Sequence, residues 1–144
     1  MEMPPEVRLG LDIKRAEQAL MTAKSSAVRT ADLTVAQYAT LLALAQHPGI
    51  SAAALARACL VTPQAMTAVL KTLQARGLIE RSAHPWHQRV LETRLTEDGQ
   101  RALTSADKEA VRIERRLADE FTAEEQDILR TLLARCVQAI ERDR

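Results

Sequence analysis

The chain has 144 residues, of which 47% are hydrophobic and 27% charged, the proportions of a soluble globular protein with one domain-sized core. No apolar run approaches the ~20 residues that cross a bilayer, and the amino terminus lacks a basic-then-apolar signal pattern. From these features we expect a cytoplasmic protein rather than a membrane-spanning or exported one.

The net charge of +1 conceals an uneven distribution. Residues 51–95 contain six basic and two acidic side chains, a net +4, whereas residues 96–144 contain nine basic and twelve acidic ones, a net −3. Residues 1–50 contain five basic and five acidic side chains, a net charge of zero. Neutralising nucleic-acid phosphates requires a positive segment of this kind, although solvated faces also carry such charge.

Two helices are predicted first. Proline is tolerated in a first turn, so the first helix begins near Pro5 and reaches about Val28. Its apolar stripe has spacings of three and four: Leu9, Ile13, Ala16, Leu20, Ala23 and Ala27. Thr34 with Gln37 forms a capping-box pattern for the second helix, which ends at the His47-Pro48-Gly49 segment. The apolar residues of the second helix are Ala39, Leu41, Leu42, Leu44 and Ala45.

Two more helices follow a tight break. Ser51 caps a short third helix, and Thr62-Pro63, an N-cap before a first-turn proline, starts the fourth. The apolar residues of the third helix are Ala54, Leu55, Ala58 and Cys59. At 100° per residue, one face of the fourth helix holds Met66, Val69, Leu70 and Leu73. The opposite face holds Gln64, Thr67, Ala68, Lys71 and Ala75. A face with one charge suits a DNA groove, whereas a solvated helix would carry more Glu and Lys.

A hairpin follows the fourth helix, which ends at Gly77. Residues 78–81 begin a strand, residues 82–88 form a polar tip, and residues 89–95 alternate back as the return strand. Arg89 opens that return strand, where a long cation can enter a minor groove. Residues 33–99 therefore predict a winged helix-turn-helix, which offers one helix to the major groove and a β-wing to the flanking DNA.

The terminal helices carry more apolar surface than one small winged domain can cover. Thr96 caps a long fifth helix, and Thr122 with Glu125 opens a final one. Their apolar residues are Leu103, Ala106, Ala110, Ile113, Leu117, Ile128, Leu129, Leu132, Leu133, Cys136, Val137 and Ile140. We predict a mainly α fold with a small β-wing, one domain over residues 1–144, in which residues 5–28 and 96–142 hold a homodimer together.

The predicted DNA contacts divide by chemistry. Gln64 can pair bidentately with adenine, Thr67 can reach base edges, and Ala68 can contact a thymine methyl. Arg57 and Lys71 are placed for phosphates. The predicted set is completed by Thr62 at the helix start and Arg89 in the wing.

These residues resemble the MarR (multiple-antibiotic-resistance regulator) family of bacterial transcription factors over nearly the whole chain. The matching phrases are Leu33-Thr34 with Gln37, Leu55-Ala56 before Val61-Thr62-Pro63, Arg76-Gly77-Leu78-Ile79, and Leu95-Thr96 with Gly99. The resemblance implies a homodimer on palindromic operator DNA, usually a repressor released by a small, often phenolic, molecule. It departs at the wing tip, where the family commonly has Asp-x-Arg and this chain has His87-Gln88-Arg89 beside an unusual Trp86.

The resemblance also implies an effector pocket where the first two helices meet the fifth. Lys14 or Arg15 could pair with a carboxylate there, and Tyr38 could form an aromatic wall. The alternative is that Lys14 and Arg15 are solvated and Tyr38 is an ordinary core residue.

Other chemistries have less support. His47, His84 and His87 have no cysteine or carboxylate cluster nearby in sequence, so we predict no metal site, and nothing indicates a cofactor. Cys59 and Cys136 leave open a thiol-redox regulator of the same fold, although buried cysteine is commoner. No phosphate loop or catalytic constellation indicates an enzyme. A winged-helix protein-interaction module remains the alternative from another class, which the +4 segment disfavours.

Overall fold

The computed structural model describes residues 2–142 and residue 144. In these residues, six α-helices and one two-stranded antiparallel sheet follow a short 3-10 turn at Pro5–Val7. The elements are α1 (Gly10–Arg29), α2 (Val35–Gln46), α3 (Ala52–Ala58), α4 (Pro63–Ala75), β1 (Ile79–Ala83), β2 (Leu91–Leu95), α5 (Glu97–Asp119) and α6 (Ala123–Glu141). The predicted fold class, mainly α with a small β-wing, is confirmed.

Five helices begin at the predicted caps, among them α5, where the Thr96 oxygen accepts from the N–H of Gly99. The hydroxyl oxygen of Thr34 accepts from the backbone N–H of Gln37, and the Gln37 side-chain oxygen accepts from the N–H of Thr34. A reciprocal pair of this kind also opens α6, between Thr122 and Glu125. Single side-chain caps open α3 and α4, at Ser51 and Thr62. These caps bind otherwise unpaired N–H groups within one turn, which is why the local sequence locates them.

The first helix begins later than the sequence predicts. Pro5 lies in the 3-10 turn, and Arg8 then adopts an extended backbone, so α1 begins at Gly10. The predicted apolar stripe is also buried only in part: Leu9 and Ile13 are exposed, Leu20 and Ala23 are half-buried, and the buried residue of α1 is Val28.

The hydrophobic core is built around α2. The predicted inner face of α4 is confirmed, since Met66, Leu70 and Leu73 are buried and Val69 is half-buried. In α3, Leu55 and Ala56 are buried, whereas Ala58 is exposed. The other large core residues are Val28, Leu33, Tyr38, Leu41, Leu44, Leu55, Leu78, Ile79 and Leu103.

The hairpin has a different boundary from the predicted one. Strand β1 continues to Ala83, which pairs with Leu91 at the start of β2, so residues 84–90 form the loop. Arg89 therefore lies in this loop and does not open the return strand. The reason is local hydrogen bonding: the N–H of His84 donates to the Val90 carbonyl and the N–H of Val90 donates to the His87 carbonyl, each at 2.8 Å. We call residues 84–90 the wing loop.

The start of α5 is fixed against the beginning of the hairpin. The Thr96 hydroxyl donates to the Gly77 carbonyl at 2.6 Å and accepts from the N–H of Gly99 at 3.0 Å. The N–H of Thr96 donates to the Leu78 carbonyl at 3.1 Å. Gly99 is buried so closely against that carbonyl that a Cβ atom would lie 1.9 Å from its oxygen. This junction requires glycine.

The chain separates into two compact units, Met1–Ala110 and Val111–Arg144. The first contains the core described above. In the second, Gln126 donates side-chain hydrogen bonds to the carbonyls of Ala118 and Phe121, which hold the start of α6 against the end of α5. The predicted single domain over residues 1–144 stays a prediction, and residues 1 and 143 lie outside the described part.

Among the described residues, no single helix has the length and hydropathy needed to cross a bilayer. The bent pair formed by α3 and α4 meets that test by length and composition alone, and the inner faces of both helices lie in the core.

Candidate nucleic-acid interface

The helices α3 and α4 form a helix-turn-helix. Their axes are bent by 110°, within the range of DNA-binding motifs of this type. The turn depends on Leu60, which has a left-handed backbone with φ of 56° and is 92% exposed. The N–H of Val61 then donates to the Ala56 carbonyl at 3.0 Å, which closes the end of α3. The turn aims the amino end of α4 outward.

The outward face of α4 carries the predicted reading residues. Gln64, Thr67, Ala68 and Lys71 are exposed, while the opposite face is buried in the core. Their side chains share one face because they recur at helical spacing on a rigid element. The amino end of the helix also carries a partial positive charge, which favours phosphate.

Hydrogen bonds limit what two of the predicted contacts can do. The Thr67 hydroxyl donates to the Pro63 carbonyl at 2.9 Å, which leaves its methyl group and lone pairs to face a ligand. The Thr62 oxygen accepts from the N–H of Ala65 at 3.1 Å, a bond that leaves its hydroxyl hydrogen available for a phosphate oxygen. Arg57, at the end of α3, is exposed. These individual DNA contacts stay predictions.

The wing loop is organised by a residue that sequence reasoning did not single out for this role. The His84 Nδ1 accepts from the backbone N–H groups of Trp86 at 3.0 Å and His87 at 3.2 Å. Its Nε2 lies 3.5 Å from a Glu92 oxygen, and the other Glu92 oxygen accepts from Arg94 at 3.2 Å. The wing therefore has an anchoring carboxylate, Glu92 on β2, although the family's aspartate is replaced by His87. Arg89 is exposed in the same loop.

His84 and His87 lie close together in the wing loop. The rings of His84 and His87 are 5.2 Å apart, but the described residues contain no group of three or more His, Cys, Asp or Glu side chains that could hold a metal ion. The Nδ1 of His84 is also engaged by two backbone N–H groups.

A cavity of about 250 Å³ lies beside the helix-turn-helix. It is lined by Lys24 of α1, by Val35, Tyr38, Ala39, Leu42, Ala43 and Gln46 of α2, and by His47, Ala58 and Cys59. Tyr38, predicted as an aromatic wall of the effector pocket, is thus one of the lining residues, and its hydroxyl donates to Asp107 of α5 at 2.6 Å. Lys14 and Arg15 are exposed and are not among the lining residues. The cavity's lysine is Lys24, which the predicted α1 stripe did not identify.

The thiol at the edge of this cavity is not activated. Burial raises the pKa of Cys59 above its ordinary value of 9.0, and a hydrogen bond with Thr40 opposes this effect only in part. A peroxide-sensing cysteine needs a lowered pKa and a thiolate. Cys136 is half-buried in α6. Cys59 therefore gives no support to the redox alternative.

Comparisons with known proteins agree on one family. The family model described as MarR family matches residues 31–89. An HTH-type transcriptional repressor of Mycobacterium tuberculosis is 34% identical over 134 residues, which cover 92% of this chain and 96% of the relative. The solved structure of the transcriptional repressor CouR bound to a 23-mer DNA duplex is 30% identical, with a TM-score of 0.81 over 95% of this chain and 99% of that one.

A solved structure of a Mycobacterium tuberculosis MarR family protein in complex with salicylic acid is 30% identical, with a TM-score of 0.70 over 93% of this chain and 99% of that one. These relatives are transcriptional repressors, the class of function that the sequence predicts. The bent helix pair, the exposed face of α4 and the hairpin are the parts of a winged helix-turn-helix, and the chain belongs to the MarR family of transcriptional regulators.

Proposed function

We propose that this chain is a homodimeric repressor that binds a palindromic operator and is released from it by a small phenolic acid. The observation that carries the proposal is the outward face of α4, which is almost uncharged at its amino end and lies within the +4 segment of the sequence. Base edges are read by amide, hydroxyl and methyl groups, whereas arginine and lysine around them bind phosphates.

The proposed contacts divide into reading and anchoring. Gln64, Thr67 and Ala68 face base edges in the major groove, and Lys71 binds phosphate from the same helix face. Arg57 and the Thr62 hydroxyl bind phosphates at the flanks, because they lie at the end of α3 and the start of α4. Arg89 enters the minor groove from the wing loop.

The test is selection of bound duplexes from random DNA, followed by affinity measurements at several salt concentrations. The Gln64→Ala change should relax specificity at one base pair and cost about 1–3 kcal/mol there. The Lys71→Ala change should weaken every sequence equally and lower the salt slope by about one. Gln74→Ala, an exposed glutamine at the other end of α4, is the control and should change neither. If Gln64→Ala weakens binding to every duplex equally, Gln64 does not read a base and the division into reading and anchoring contacts is wrong.

Exposed apolar side chains support the homodimer. Those of the predicted dimerisation segments include, in and before α1, Met3, Val7, Leu9, Leu11, Ile13 and Met21, and in the second unit Leu117, Ile128, Leu132, Leu133, Val137 and Ile140. Patches of this extent are uncommon on monomers. A dimer also supplies two reading helices for half-sites about 34 Å apart. The Leu132→Asp change should dissociate the dimer and abolish operator binding, whereas Thr131→Asp, its exposed neighbour, should do neither. Sedimentation that shows a wild-type monomer at micromolar concentration would contradict this.

The cavity supports release by a small acid. A ligand there would touch α2 and also Ala58 and Cys59, so it would act directly on the first helix of the helix-turn-helix. His47 at the cavity begins the turn in which the Gly49 N–H donates to the Thr93 carbonyl of β2 at 3.0 Å, a connection to the wing. A salicylic acid complex of a relative indicates the chemical class.

Calorimetry with salicylate tests this part. Removing the cavity cation with Lys24→Gln should weaken binding about tenfold, the factor for one charge-assisted bond. Lys14→Gln, an exposed lysine of the same helix, is the matched control and should bind like the wild type. If Lys14→Gln loses affinity and Lys24→Gln does not, the cavity is not the effector site.

A further inference from the structure

Trp86 has no role in the fold or in the proposed contacts. It is the single tryptophan of the chain, and it is 85% exposed in the wing loop. Tryptophan carries the largest apolar surface of any side chain, and leaving it in water forgoes the free energy that its burial would supply. An indole held outward in this way is available to a partner that covers it.

The loop presents this indole from a defined position. The imidazole of His84 accepts the N–H of Trp86 itself and that of His87, and the Glu92 carboxylate lies against the other side of the same ring. Two further backbone bonds between His84, His87 and Val90 close the loop. Pro85 before Trp86 restricts the backbone further, since its φ is fixed. The ordering cost of placing the indole on a partner is correspondingly small.

The surroundings of Trp86 identify the chemistry of that partner. Arg89 lies three residues away in the same loop and is exposed, whereas Arg94 on β2 is paired with Glu92. An apolar side chain beside a cation fits a surface with an anionic rim and an apolar interior. The minor groove of DNA has this arrangement, with phosphates along its edges and sugar and base faces between them.

We infer that Trp86 is a DNA-contacting residue of the wing, whose indole packs on the sugars and base edges of the minor groove beside the site of Arg89. This inference rests on the proposed function and adds a contact that does not depend on charge.

Salt titration separates this contact from an electrostatic one. With the duplex selected from random DNA, Trp86→Ala should lower affinity at least about fivefold, as loss of an aromatic contact to a base does. The salt slope should stay unchanged, because no phosphate loses its cation, whereas Arg89→Ala should lower the slope by about one. Trp86→Phe should recover most of the affinity. Gln88→Ala, an exposed neighbour in the loop, is the control and should bind like the wild type.

Intrinsic fluorescence gives a direct readout, because no other tryptophan contributes. In the unbound protein, acrylamide should quench Trp86 strongly, and the selected duplex should shield it at least about threefold, as expected when an exposed indole becomes buried. Tight duplex binding with an unshielded Trp86 would overturn this inference alone. A change of oligomeric state in Trp86→Ala would also overturn it, since the indole would then cover a second copy. If no duplex binds the wild type, the proposed function fails and this inference with it.

Discussion

The junction at Gly99 gives the sharpest test of how the hairpin is attached to α5. A methyl group added there would lie 1.9 Å from the Leu78 carbonyl oxygen and 3.0 Å from its carbon. Both are backbone atoms, so no side chain can rotate away from the contact. The helix and the hairpin would have to separate by more than 1 Å before the contact becomes ordinary.

The magnitude follows from what that separation breaks. Overpacking in a close-packed region costs about 1–3 kcal/mol. The same movement stretches the bond from the Thr96 N–H to Leu78 and the bond from the Thr96 hydroxyl to Gly77, each contributing about 1 kcal/mol. Alanine regains about 1 kcal/mol of helix propensity. Gly99→Ala should therefore lower the free energy of unfolding by about 2–4 kcal/mol.

Urea unfolding followed by circular dichroism, at one fixed protein concentration, measures this effect. The matched control is Gly10→Ala at the start of α1, where an added Cβ meets nothing within 4 Å. That variant should be unchanged or more stable by up to about 1 kcal/mol. Operator affinity should fall in Gly99→Ala alone, since the wing shifts relative to α4. Equal stabilities for the two variants would refute the reasoning.

Three further predictions concern the same helix-turn-helix unit. The Thr93 hydroxyl is fully buried without a hydrogen-bond partner among the described residues, so Thr93→Val should raise the free energy of unfolding by about 1 kcal/mol. The equally buried Thr40 hydroxyl donates to a backbone carbonyl, so Thr40→Val should lower the free energy of unfolding by about as much. If both variants are less stable than the wild type, the Thr93 hydroxyl does have a hydrogen-bond partner. Leu60→Gly should raise the free energy of unfolding by about 0.5–1 kcal/mol in the same urea assay, because relief of the left-handed strain at Leu60 exceeds the entropy that glycine adds to the unfolded chain. A lower free energy of unfolding would show that Leu60 is not strained. Burial raises the pKa of Cys59, so the unfolded chain loses this proton first as pH rises, and stability should decline above about pH 9. Cys59→Ala should flatten that decline. At pH 8, iodoacetamide should react with the Cys59 thiol more slowly than it reacts with the thiol of free glutathione, and a faster reaction of Cys59 would reopen the redox alternative.

Much of this protein could be predicted from its sequence because the signals are local. The caps at Thr34, Ser51, Thr62, Thr96 and Thr122 act within one turn, so five helix starts were predicted correctly from the sequence. The two faces of α4 also follow from helical periodicity, which puts Gln64 and its neighbours on the outside. The fold class and the family need no more than these patterns in chain order.

Boundaries that depend on hydrogen bonds to another segment were predicted less well. The return strand was placed two residues too early because its start is decided by the bonds between His84, His87 and Val90. The first helix was extended to Pro5 because proline suits a first turn of either helix type.

The functional details were decided by tertiary structure. The hydroxyl of Tyr38 donates to Asp107, which is 69 residues away in the sequence. The cavity is lined by residues of three different helices and by Cys59 at the end of α3. Glu92 takes the anchoring place in the wing because antiparallel pairing brings β2 beside the end of β1. Periodicity shows on which face of its own helix or strand a side chain lies, but not which residue of another element it contacts. That partner depends on how whole elements pack, which is a property of the folded chain rather than of any short segment.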